Sequence, residues 1–89
     1  MTKILLVEDD ESVGRPVSFS LEKEGYEVYT ARTLTEARRA VHRQYPDILL
    51  CDVNLPDGNG FDFCREVKER RPETAVIFPV SYTHLRAHE

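Results

Sequence analysis

Two apolar runs, each closed by acids, constrain this chain more than any other feature. Lys3-Ile4-Leu5-Leu6-Val7 leads into Glu8-Asp9-Asp10, and Ile48-Leu49-Leu50-Cys51 leads into Asp52. A short apolar run without alternation suits a strand buried on both faces, as in a parallel sheet covered by helices. The acids then lie just past the carboxyl ends of these strands, which is where open α/β sheets bind ligands.

The intervening segments read as helices and further strands. From Glu11 to Glu24, Val13, Val17 and Leu21 recur at four-residue spacing with Ser20 on the same side, and Gly25 supplies the stop. Pro16 is tolerated only near the first turn, so the helix should start close to Ser12. Tyr26-Glu27-Val28-Tyr29-Thr30 is β-rich, and Thr33-x-x-Glu36 forms a capping box ahead of Leu34, Ala37, Val41 and Tyr45, with Pro46 ending that helix. After Asp52, Leu55-Pro56-Asp57-Gly58-Asn59-Gly60 is a turn-rich loop whose Gly58 and Gly60 can take positive φ. Phe61, Cys64 and Val67, with Lys68 at the edge, mark one face of a third helix that ends at Arg70-Arg71-Pro72. Ala75-Val76-Ile77-Phe78 then begins a fourth strand. This alternation of strand and helix with short connections predicts an α/β fold, a parallel sheet with helices on both faces.

A chain of 89 residues holds one small domain. Its net charge of -4 argues against a nucleic-acid footprint, so no nucleic acid is expected to bind this segment. No apolar run approaches the roughly 18 residues that cross a bilayer, and the Met-Thr-Lys start leads straight into a strand, unlike a signal peptide. The cytoplasm is the expected compartment, without membrane contact. Cys51 and Cys64 lack CxxC spacing and read as small buried apolar residues.

If the two acid-tipped strands are neighbours, Glu8, Asp9 and Asp52 converge in one crevice. Like charges so placed disfavour one another's ionisation. An oxygen-rich acidic pocket suits a hard divalent cation such as Mg²⁺, which offsets that repulsion. An ionised aspartate beside such a cation is a competent nucleophile toward a phosphoryl group, with an aspartyl phosphate as product. Strand-terminal acids can instead simply cap the following helix. That reading suits Asp10 and Glu11, but not Asp52, which four apolar residues precede.

The stretches KILLVEDD and DILLCDVNLPDGNGFDFCREVK, at their mutual spacing, closely resemble the receiver domain of two-component response regulators over residues 1 to about 78. The resemblance implies a flavodoxin-like parallel sheet that lacks the family's fourth helix, fifth strand and fifth helix. It makes Asp52 the phosphoacceptor, Asp9 a direct Mg²⁺ ligand, Glu8 a member of the acidic pocket acting partly through water, and Asn54 a ligand through its backbone carbonyl. Leu55, Pro56 and Gly60 match the family's loop as architectural residues, and Asp57 is read as exposed and polar only. The implied function is a switch rather than a turnover enzyme: Mg²⁺-dependent transfer of phosphate from a histidine kinase phosphohistidine to Asp52, read out by an output domain or receiver dimer partner of the full-length parent. The family also requires a Thr or Ser ending its fourth strand and a Lys ending its fifth. Here Val80 stands at the Thr position, Ser81 falls one place late, and no Lys follows Lys68. Two alternatives remain open: a haloacid-dehalogenase-like phosphotransferase, which normally shows Asp-x-Asp after the first strand, and a non-phosphorylated pseudo-receiver.

The tail has its own resemblance. Val80-Ser81-Tyr82-Thr83-His84-Leu85-Arg86-Ala87-His88-Glu89 is identical to the translation of GTC TCT TAT ACA CAT CTC CGA GCC CAC GAG, a reading frame of the transposon-end adapter of short-read library preparation. The two preceding adapter bases, CT, need a native C to encode Pro79, and CTN leucine codons begin with C. The expected division is therefore a partial receiver at 1–79 and a non-native tail at 80–89. A receiver so shortened should expose apolar sheet edge and face, be poorly stable, and be phosphorylated little.

Overall fold

In the computed structural model of the chain, residues 1–78 are described; the expectation for the 80–89 tail lies outside them. The strands β1 (Lys3–Val7), β2 (Glu27–Ala31), β3 (Ile48–Cys51) and β6 (Ala75–Ile77) form a parallel sheet in the order β2-β1-β3-β6. Three helices connect them: α1 (Glu11–Lys23), α2 (Leu34–Gln44) and α3 (Gly60–Arg70). The turn-rich loop is more ordered than its composition suggests, since β4 (Asn54–Leu55) and β5 (Gly58–Asn59) pair as a two-residue antiparallel ladder.

Side-chain alternation divides the sheet into two faces. Leu5, Val7, Leu49 and Cys51 join Leu34, Ala37 and Val41 of α2 and Phe63, Cys64 and Val67 of α3 in one buried cluster. The register pairs Leu6 with Leu50 and Leu50 with Ile77, so these residues share the opposite face, the one that α1 covers.

The helix boundaries follow local chemistry. Asp10 caps α1 by accepting from Ser12 N at 3.0 Å, and Gly25 at φ 97° provides the left-handed stop. Pro16 lies one turn further in than the first, and α1 buries none of its residues completely: Val13 and Leu21 are half-buried, and Val17 is 36% exposed. Thr33 caps α2 by accepting from Glu36 N at 3.1 Å, while Glu36 Oε1 accepts from Arg32 N at 3.0 Å, one residue upstream of the reciprocal bond that a capping box makes.

Two expectations change. Phe61 does not lie on the buried face of α3; it is 50% exposed and its ring sits 4.5 Å from that of Phe78, while Phe63 is 1% exposed. The buried positions are 60, 63, 64 and 67, a complete i, i+3, i+4, i+7 stripe. Tyr45 does not continue the apolar face of α2 either. It is the C-cap at φ 50°, with the Arg71 guanidinium 3.7 Å over its ring.

Candidate functional site

The pairing of β1 with β3 sets Val7 beside Cys51, so the residues that follow each strand emerge side by side. Backbone hydrogen bonds fix both exits: Asp52 N donates to Val7 O at 3.0 Å and Glu8 N to Ala31 O at 2.9 Å. Carboxylate oxygens of Glu8, Asp9 and Asp52 consequently lie within 4.8 Å of one another. Glu8 is buried, and Asp9 and Asp52 are half-buried.

Burial raises the Glu8 carboxyl above its ordinary value; a hydrogen bond from Asp10 N opposes this, and the charges of Asp52 and Asp9 add to it. Among the described residues, no arginine or lysine forms an ion pair with any of the three acids. The donor set is entirely oxygen, crowded and uncompensated, which fits a hard divalent cation. One Asp52 oxygen, Oδ1, accepts from Val53 N at 2.8 Å, which orients the carboxylate.

The segment after Asp52 is fitted closely around it. A Cβ on Gly60 would stand 2.0 Å from Asp52 O, and Gly60 N donates to Val53 O at 2.7 Å. Gly60 is thus required for room, and only Gly58 of the two loop glycines has positive φ. Asn54, in β4, is exposed and pairs with Asn59.

Asp57 does more than the exposed polar role expected of it. Its Oδ1 accepts from Leu34 N at 2.8 Å, and its Oδ2 accepts from Thr35 N at 3.1 Å and Thr35 Oγ1 at 3.0 Å. These bonds hold its carboxyl below the ordinary aspartate value. The partners lie more than twenty residues apart in sequence, so no local spacing signals the contact. Phe63, in whose place Phe61 is expected on the buried face, does carry a local signal, since positions 60, 63, 64 and 67 obey the helical period.

Around the site, a crevice of about 270 Å³ is lined by Asp9, Arg32, Thr33, Glu36 and Pro56. A larger groove of about 340 Å³ lies between α2 and α3, away from the acids. Lys68 donates to Pro72 O at 2.9 Å and Thr74 O at 2.6 Å, at the start of β6 and hence at the opposite end of the sheet from the acids. Cys51 and Cys64 are both buried, and the Cys51 thiol is pushed up by its hydrogen bond with Cys64 and by burial, as expected of packing residues.

The class defined by this architecture is a flavodoxin-like α/β protein with an acidic pocket at the carboxyl ends of its two central strands. Residues 4–87 match the response regulator receiver domain, and the chain belongs to that family. It is similar to the non-phosphorylated HemR receiver domain from Leptospira biflexa, with 36% identity and a TM-score of 0.82 over 88% of this chain and 63% of that one. It is similar also to the chemotaxis response regulator CheY4 of Vibrio cholerae, with 34% identity and a TM-score of 0.82 over 88% of this chain and 67% of that one. A third similar structure is the response regulator TrrA complex with the histidine kinase ThkA, with 26% identity and a TM-score of 0.80 over 88% of this chain and 67% of that one. The chain therefore spans about 63% of the HemR receiver domain's length. No helix among the described residues is long and apolar enough to cross a membrane.

Proposed function

We propose that this chain is the phosphoacceptor part of a cytoplasmic response regulator, taking phosphate from a histidine kinase phosphohistidine onto Asp52. The observation that carries the reading is the convergence of the Glu8, Asp9 and Asp52 carboxylates. Glu8, Asp9, Asp52 and the backbone carbonyl of Asn54 would hold Mg²⁺. When bound, the cation offsets the negative charge of the carboxylates and of the phosphoryl oxygens.

The chain's own residues supply position and nucleophile. The Val53 N–H steadies one Asp52 oxygen and leaves the other to attack phosphorus. The P–O bond forms as the P–N bond breaks, and the imidazole leaves with the electron pair of that bond. The phosphorylated state then acts as a signal read by an output domain or dimer partner. Similarity to a receiver in complex with a histidine kinase supports a kinase as the donor. A dehalogenase-like reading fits less well, because Asp52 follows the third strand of the sheet and Asn54 stands where a second Asp is needed.

The test is incubation with Mg²⁺ and a small phosphodonor such as acetyl phosphate, followed by a search for acid-stable, base-labile phosphate. Labelling is expected to be slow, since Val80 stands at the position where the family carries Thr or Ser, and it should map to Asp52 and vanish in Asp52→Asn. Label that persists in that variant overturns the assignment, and complete absence of label favours the pseudo-receiver.

We also propose that the receiver portion ends at 79 and that 80–89 is translated adapter. The family match continues to residue 87, so the decisive test is on DNA. Re-amplification of the locus from source DNA should replace these codons, and their recovery would refute the idea.

A further inference from the structure

The first turn of α2 has two caps of different origin. Its N–H groups at Leu34, Thr35 and Glu36 precede the first intrahelical bond, from Ala37 N to Thr33 O at 3.0 Å. Thr33 Oγ1 accepts from Glu36 N at 3.1 Å. The other two donors are satisfied by Asp57, from the tip of the β4–β5 hairpin, at 2.8 and 3.1 Å. Its carboxylate also carries the charge that a helix N-terminus favours.

The hairpin is held at both ends. At its tip, Leu55 is buried in the core, and a Cβ on Gly58 would lie 2.7 Å from Leu34 Cδ1. At its base, Gly60 N donates to Val53 O at 2.7 Å, and Asn59 Oδ1 accepts from Phe61 N at 2.7 Å. Asn54 pairs with Asn59 in a ladder of only two residues, so a shift of the tip has little structure to absorb it before Asn54 and Asp52.

We propose that Asp57 is a positioning residue for the acidic site: by tying the hairpin to α2 it fixes the backbone of Asn54 relative to Asp52 and Asp9, and so sets divalent-cation affinity. This rests on the reading of Glu8, Asp9 and Asp52 as a cation site. Outer residues that orient metal ligands typically alter affinity by 10–100-fold when removed.

The measurement is titration of the full chain with Mn²⁺, counting free ion by electron paramagnetic resonance, well below the melting temperature of each variant. Wild type should bind Mn²⁺ and Asp52→Asn should lose it; a wild type that binds none overturns the reading of the triad itself. Asp57→Ala should weaken binding by about tenfold. Asp57→Asn, which keeps one carbonyl acceptor and is the milder change, should weaken it less and decides the matter where the alanine variant does not fold. Val41→Ala, a buried deletion on α2 away from the hairpin, should lower the melting temperature without changing Mn²⁺ affinity. Binding by folded Asp57 variants equal to wild type, or an equal loss in Val41→Ala, refutes a positioning role while leaving the triad intact.

Discussion

The two faces of the sheet are built from the same strands and are covered very differently. Toward α2 and α3, Leu5, Val7, Leu49 and Cys51 are almost wholly removed from solvent. Toward α1, Ile4 and Leu6 are buried, but Ile48 and Leu50 are only half-buried and Ile77 is 47% exposed. Apolar runs without alternation need cover on both sides. Among the described residues, α1 is the one helix on this face; it buries none of its own residues completely, and Ile48, Leu50 and Ile77 stay partly open to solvent. The closed face organises the site, because it anchors α2, α3 and the hairpin between them; the open face leaves apolar side chains of β3 and β6 partly in solvent.

The largest expected effect separates the two faces directly. Phe63→Ala removes a fully buried ring and should cost about 3–5 kcal/mol, enough to unfold a chain of this size. Ile77→Ala, on an edge strand of the open face, should cost less than about 1 kcal/mol. Urea unfolding followed by circular dichroism measures both, and similar costs would abolish the distinction.

Association should come next. The open side of the molecule presents Ile77 and Val17, α1 also carries Phe19 at 63% exposed, and β6 is an edge strand among the described residues. Exposed apolar surface beside an unpaired edge favours self-association, and lysine on an edge strand opposes it. Ile77→Lys should therefore reduce light scattering at high protein concentration, whereas Arg65→Lys, on the solvent side of α3, should not. Unchanged scattering in Ile77→Lys would mean that the open face is not what associates.

Sequence alone carried the elements whose signals are local. The two acid-tipped runs set strands and site together, because parallel neighbours with in-register ends must bring Glu8, Asp9 and Asp52 close. The choice of Phe63 over Phe61 was present in the helical period, but Phe61 also lies at a spacing compatible with Cys64, and only packing against the sheet decides between them. The Asp57 contact was illegible, since it joins a loop tip to a helix start with no shared motif. The thin cover over β3 and β6 was expected only through the family resemblance; the strands themselves read as buried on both sides.

The smallest effect concerns two carboxylates whose environments push them in opposite directions. Glu8 continues the open-face row of Ile4 and Leu6, and a methyl on Gly14 of α1 would meet its Cγ at 3.6 Å. Burial raises its carboxyl above the ordinary 4.5. The folded state therefore takes up this proton more readily than the unfolded state, and ionised Glu8 disfavours folding at neutral pH. That penalty fades as pH falls through the raised value toward 4.5. With chelator present, Glu8→Gln should melt higher than wild type at neutral pH, with the gap closing on acidification. Asp57 has the opposite sign: hydrogen bonds from Leu34 and Thr35 hold its carboxyl below the ordinary 3.8, so its contribution is present above 3.8 and is lost as pH falls through the lowered value. Asp57→Asn should accordingly melt lower than wild type at neutral pH and converge with it only in stronger acid. Paired melts across the acidic range read both, and gaps of the same sign would show that local environment does not set the balance at these two positions.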